Sequence, residues 1–142
     1  MMRHVGELDH EGGFTLLELL VVMVVLSTLL AIIIPSFFDQ TDKADDADAQ
    51  SAARVALVAV ETWATDNDGS YSGVDAAAIR AIEPTLQSAD ISLMGVTTDG
   101  FTVRSISTGA RQFDITREAN GELTRSCAPP GAGACRDNGT WG

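Results

Sequence analysis

From Phe14 to Phe38 the chain reads FTLLELLVVMVVLSTLLAIIIPSFF, 25 residues in which Glu18 is the one ionisable side chain. As a helix this run is about 37 Å long, against a hydrocarbon core of about 30 Å. In a chain of 142 residues too little protein remains to cover such a helix on every side, so a buried helix of a soluble domain fits poorly. A cleaved secretory signal fits poorly as well. Its apolar segment is usually about 7–15 residues and ends at a small-residue cleavage site. Here Ile32-Ile33-Ile34-Pro35 stands where that site belongs, and Ala47-Asp48-Ala49, which has the right spacing, lies inside the acidic stretch beyond. The run reads as a retained membrane helix.

Its orientation is not set by Lys and Arg, which are nearly balanced across it: Arg3 stands in the leader and Lys43 on the far side. The cysteines point one way. Cys127 and Cys135 would pair most readily in an oxidising, extracytoplasmic space, which places the N-terminus inside and the C-terminus outside.

Charge and composition exclude several classes. The net charge is −11, a poor basis for binding nucleic acid through a basic surface. Both histidines, His4 and His10, precede the apolar run. A Cys/His zinc centre is therefore nearly excluded, and so is a His-based catalytic triad in the body of the chain. No cofactor and no metal site are expected.

Glu18 is the anomaly. A carboxylate in an apolar span costs about 2.5–3.5 kcal/mol at the bilayer centre and less near its edge. It could snorkel to the headgroups, and Gly13 only five residues earlier favours such an edge position. No Lys or Arg stands between Arg3 and Lys43 to pair with it. A partner must come from lipid, water, another molecule, or an amino group made by cutting the chain.

Gly13-Phe14-Thr15-Leu16-Leu17-Glu18, followed by about twenty apolar residues, resembles the N-terminus of type IV pilins and type II secretion pseudopilins. The resemblance implies cleavage by a prepilin peptidase between Gly13 and Phe14, and N-methylation of Phe14. It implies that Glu18 neutralises the new N-terminal amine of a neighbouring subunit during filament assembly. A cation and an anion would then meet in a medium where either alone is costly. Pro35 matches a proline the family keeps in the same helix. The chain departs from the pattern in its leader, 1–13, which is net acidic and has Gly12 before Gly13 where family leaders are usually basic. The close resemblance covers Gly13 to Phe38; beyond it only the architecture matches.

Pro35 removes the hydrogen bond to the Ala31 carbonyl, so a kink is expected, with the helix continuing because the next segment is itself a strong helix former. That segment, 39–65, has no Gly or Pro and is rich in Ala. Its first half is acidic, with Asp39, Asp42, Asp45, Asp46 and Asp48 beside Lys43, and reads as a solvated face. Its second half, Val55 to Val60, is apolar all round and asks for cover on more than one side. A small sheet could supply one side and neighbouring subunits the other.

Residues 66–142 read as a globular head. Asp66 to Tyr71 ends the long helix, with Gly69 as breaker. The same residues fail the calcium-loop pattern at its first and last positions, so a structural turn is preferred. Asp75 caps a short helix, Ala76–Ile82, stopped by Pro84. From about Ile91 the alternation becomes that of strands: Phe101, Val103 and Ser105, then Phe113 and Ile115. The turn signals are Asp99-Gly100, Gly109 and Asn120-Gly121. The expected fold is α+β, one long helix packed on three or four antiparallel strands. Residues 100–142 hold five Arg and four acids, so the slightly basic sheet, Arg104 for example, could meet the acidic helix of a neighbouring copy near Asp45. Cys127 and Cys135 would close a tight loop worth about 2.5 kcal/mol by chain entropy, two free thiols being the alternative. A C-terminal disulfide loop is also what the pilin resemblance implies. Asn138-Gly139-Thr140 fits the glycosylation pattern and is left unassigned.

The chain is thus expected to be a structural subunit and not an enzyme. Its precursor would sit in the cytoplasmic membrane and pass to a homo-oligomeric surface or periplasmic filament. Its partners would be prepilin peptidase, the inner-membrane assembly machinery and, before assembly, the lipid bilayer. A type II secretion or competence pseudopilin is the alternative, followed by a membrane-anchored binding module that never polymerises. Adhesion, motility, DNA uptake and secretion are all uses of such fibres.

Overall fold

The structure, a computed structural model, describes residues 12–142, with Pro35 and Ser36 through their backbone alone. The rest of the leader, 1–11, lies outside the described residues. Helix α1 spans Leu16–Asp66 and is followed by α2 (Ala76–Ile82), a 3-10 turn (Pro84–Ser88) and four strands: β1 (Asp90–Met94), β2 (Phe101–Ile106), β3 (Gln112–Arg117) and β4 (Leu123–Ala128). The strands form one antiparallel meander in the order β1-β2-β3-β4. This is the expected α+β arrangement, with four strands. The chain divides into two compact units, one ending at Phe37 and the other Phe38–Gly142.

In the first unit the helix is exposed all round. Two of its hydroxyl residues need no outside partner. Ser27 donates to the Met23 carbonyl (2.7 Å) and Thr28 to that of Val25 (2.8 Å), which satisfies both hydroxyls in an apolar medium. The helix is long and apolar enough to cross a membrane.

In the second unit α1 lies on one face of the sheet. Period-two alternation turns Phe101, Val103 and Ser105 of β2 and Phe113 and Ile115 of β3 to the buried side, and the register pairs Val103 with Ile115 and Ser105 with Phe113. The helix answers with Ala49, Ala53, Ala56, Val60 and Ala64, all buried, at spacings of three and four. These small helix side chains and the large residues of the strands belong to one buried core. The all-apolar stretch is covered on this side only, and Val58 remains 64% exposed.

The termini of the elements follow their sequence signals. Asp75 caps α2, its carboxylate accepting from Ala78 N at 2.7 Å. After α1 the Asn67 side chain donates to the Trp63 carbonyl (2.8 Å) and Gly69 N to the Ala64 carbonyl (2.7 Å), with Gly69 at φ +82°. Tyr71 then turns inward, edge-on to Phe101 at 4.7 Å, and its hydroxyl donates to Glu61 (3.0 Å). At the other end Cys127 of β4 and Cys135 form a disulfide. The tail after it folds back: Cys127 N donates to the Gly139 carbonyl, Thr140 bridges Ser126, and Trp141 is buried edge-on against Phe113.

Candidate functional site

The helix begins just after the cleavage motif, and Thr15 is the reason it begins there. The Thr15 hydroxyl accepts from Glu18 N at 3.1 Å and its carbonyl from Leu19 N at 3.1 Å. This is N-cap geometry, with Glu18 three residues into the cap motif and so in the first turn. Thr-x-x-Glu before an apolar run is a capping signal legible in the sequence, and Thr15 is a residue the motif reading passed over. Acidic residues in a first turn also meet the positive end of the helix dipole.

Phe14 is 83% exposed. Around Gly12 and Gly13 the space is open: a Cβ added at either would meet nothing within 4 Å, and neither has a positive φ. Nothing in the fold of the chain therefore requires glycine at 13. Glu18 is exposed and has no ion-pair partner among the described residues. Pro35 lies inside α1, which spans Leu16–Asp66.

The second arrangement of interest lies in the head, where the acidic run of α1 is not the plain solvated face expected of it. Asp46 is fully buried. Both its carboxylate oxygens accept from Arg111 Nε at 2.7 Å, and Oδ2 also accepts from Ala134 N at 2.8 Å. Arg111 Nη2 donates to the Asp42 carbonyl (3.0 Å) and lies 3.7 Å from Asp42 Oδ1. The bond to Asp46 raises the Arg111 pKa against the opposing effect of burial. The hydroxyl-rich turn after β2 holds the arginine in place, with Arg111 N donating to Ser107 Oγ at 3.3 Å. Gly133, at φ +58°, completes the fit, since a Cβ there would run into the Asp46 carboxylate and lie 2.7 Å from Arg111 Nε. One carboxylate thus ties α1, the β2–β3 turn and the disulfide loop together. No local pattern in the sequence distinguishes Asp46 from Asp45 or Asp48; helix phase against the sheet does.

Arg104 corrects a further expectation. Its guanidinium is held by Asp114 across the β2–β3 pair, Nε to Oδ1 at 2.9 Å and Nη2 to Oδ2 at 2.7 Å. This two-pronged bond raises its pKa. The group expected to reach a neighbour's helix is already engaged within its own sheet. Glu61 similarly receives Tyr71 and lies 3.4 Å from Arg117. Burial, and then the bond to Glu61, raise the Tyr71 pKa.

Among the described residues no group of three or more His, Cys, Asp or Glu is placed to hold a metal ion. No curated protein and no solved structure matches the chain. The apolar helix and the motif together fit a membrane-anchored, pilin-like subunit that is a substrate for prepilin peptidase. The chain carries the prokaryotic N-terminal methylation motif, matched over residues 8–34, which is the prepilin-type motif of type IV pilins and pseudopilins.

Proposed function

We propose that this protein is a structural subunit of a type IV pilus-like filament, not a catalyst. It is made as a membrane-anchored precursor with its head outside, cut between Gly13 and Phe14, methylated at Phe14 and polymerised through α1 as a homo-oligomer. The observation that carries this reading is Glu18: a carboxylate in the first turn of an exposed apolar helix, one turn from the scissile bond and without a cation of its own chain among the described residues. The amine of a neighbouring Phe14 supplies that cation, in surroundings where leaving either charge alone costs several kcal/mol. Gly13 supports the reading too: the fold does not need it, so the requirement belongs to the peptidase that reads it. The open Phe14 and the cap at Thr15 leave a short non-helical stub ahead of a ready-formed helix, a suitable end for cleavage and methylation. Pro35 marks the kink in the fibre-core helix. The disulfide-closed loop favours a pilus subunit over a secretion pseudopilin.

Glu18→Ala tests this. The variant is expected to insert in the membrane and to be cleaved, while fibres counted by electron microscopy are lost or strongly reduced. Abundant fibres from Glu18→Ala, or a mature chain whose first residue is still Met1, would refute the reading.

A further inference from the structure

The arginines of the head divide into two kinds. Arg104, Arg111 and Arg117 each face a carboxylate, and Arg80 donates to the carbonyls of Leu86, Ala89 and Ile91 at 3.2–3.3 Å. Of the other three, two lie over one aromatic ring and the third bonds the residue next to it. Arg54 of α1 lies over Trp141 at 5.1 Å and Arg125 of β4 at 5.7 Å, while Arg136 donates to the Gly142 carbonyl at 3.0 Å. All three are exposed, and none has an Asp or Glu partner among the described residues, although acids outnumber bases 20 to nine in the chain. The ring itself is buried, so the patch offers guanidinium groups and not an aromatic platform. Stacking over indole also fixes where Arg54 and Arg125 sit, which lowers the entropy lost when they pair.

Three acids without an ion pair line the other flank of the same helix. A groove of about 770 Å³ runs between α1, the 3-10 turn and the ends of β1 and β2, with Asp45, Asp48 and Asp90 among its walls and Ser51, Thr85 and Ser88 beside them. None of these three carboxylates has an ion-pair partner among the described residues. Asp45 and Arg54 are nine residues apart, which at 3.6 residues per turn sets them about half a turn from one another. The cationic patch stands at the β4 edge and the groove at the β1 edge of the sheet.

We propose that the Arg54–Arg125–Arg136 patch of one copy docks on the Asp45–Asp48–Asp90 groove of a second copy of this chain. The two surfaces are complementary but different, so each copy keeps one of each free after pairing, and the contact is of the head-to-tail kind that builds an open filament when the rotation between copies does not close a ring. Opposite charges on these surfaces set the register between neighbouring heads, and like charges reject the wrong one. The inference rests on the filament reading and adds to it a contact outside the apolar helix.

The test uses the full chain expressed in cells that assemble fibres. Three variants are compared with the unsubstituted chain: Arg54→Glu with Arg125→Glu, Asp45→Arg with Asp48→Arg, and all four together. Each reversed pair is expected to lower the yield of sheared fibres about tenfold, and the fourfold swap to restore most of it. Cleavage between Gly13 and Phe14 is unchanged in all three. As a check independent of reversed charge, a chain with Ser88→Cys and Leu123→Cys, which keeps all three arginines, is expected to give a ladder of cross-linked multimers from fibres treated with a short bismaleimide. Full fibre yield from both reversed pairs, a fourfold swap as poor as either pair, or fibres without the ladder overturns the contact and leaves the filament reading standing. No fibres from the unsubstituted chain overturns both.

Discussion

Replacing Asp46 by alanine strands the Arg111 guanidinium, whose side chain is 11% exposed, and leaves the Ala134 N–H without its acceptor. Removing one partner of a buried ion pair costs about 3–5 kcal/mol. Asp42 stays within 3.7 Å of Arg111 but is largely exposed, so it offsets little and the lower end applies, about 3 kcal/mol. The orphaned N–H adds about 1 kcal/mol. A loss of about 4 kcal/mol is a large share of the roughly 5–15 kcal/mol that holds an ordinary domain together. It should lower the melting temperature of the head by roughly 15–20 °C. The assay is thermal unfolding of the detergent-solubilised chain by near-ultraviolet circular dichroism. Trp63 and Trp141 both belong to the head, whereas far-ultraviolet signal from the apolar half of α1 would mask the transition. Arg111→Met placed in the Asp46→Ala background removes the stranded charge and should recover about 2 kcal/mol. A loss below about 1 kcal/mol in Asp46→Ala, the size of a surface pair, or no recovery in the double variant, would refute the clamp.

Other outcomes follow from the same structure. Gly133→Ala should cost about 2–4 kcal/mol, since it combines a left-handed backbone with a Cβ driven into the Asp46 carboxylate; a melting temperature equal to the parent's contradicts this. Cys127→Ser with Cys135→Ser should cost about 2.5 kcal/mol and speed proteolysis of the C-terminal loop, read by mass spectrometry of the fragments. The pKa of Tyr71 is raised in the folded head, so the neutral phenol is favoured there over the unfolded chain. Its contribution is complete below the ordinary value of 10.0 and falls as pH rises through the folded value. Tyr71→Phe should therefore lose about 1 kcal/mol at neutral pH and show a shallower decline in stability above about pH 10. Parallel curves for the two chains would exclude Tyr71 as the alkaline-sensitive group.

Much of the molecule was legible in the sequence because the signals are local or periodic. The apolar run from Phe14, the Asp75 cap of α2, Gly69 after α1, and the alternation through Phe101, Val103, Phe113 and Ile115 each depend on neighbours a few residues away. The cap at Thr15 is of the same kind and could have been read from Thr-x-x-Glu. The roles proposed for Gly13, Phe14 and Glu18 rest on the motif and on the chemistry of a charge in an apolar medium, both present in the linear chain.

What the sequence by itself determined is therefore the membrane-length helix, the lone carboxylate near its start, the strand phases and the cysteine pair close enough to join. What only the tertiary structure decided is which charges meet. Asp46 was one of five aspartates in a solvated-looking run, and its burial depends on α1 laying that helical phase against Arg111, 65 residues on, and Ala134, 88 residues on. Nothing local in the sequence ties Arg104 to Asp114, which binds it, or sets apart Arg54 and Arg125, which lie over Trp141 without an ion pair among the described residues. The physical reason is the range of the interactions. Helix and strand propensities act over a few residues, whereas an ion pair is chosen by where two distant segments come to rest, and a one-residue change of phase would have chosen others.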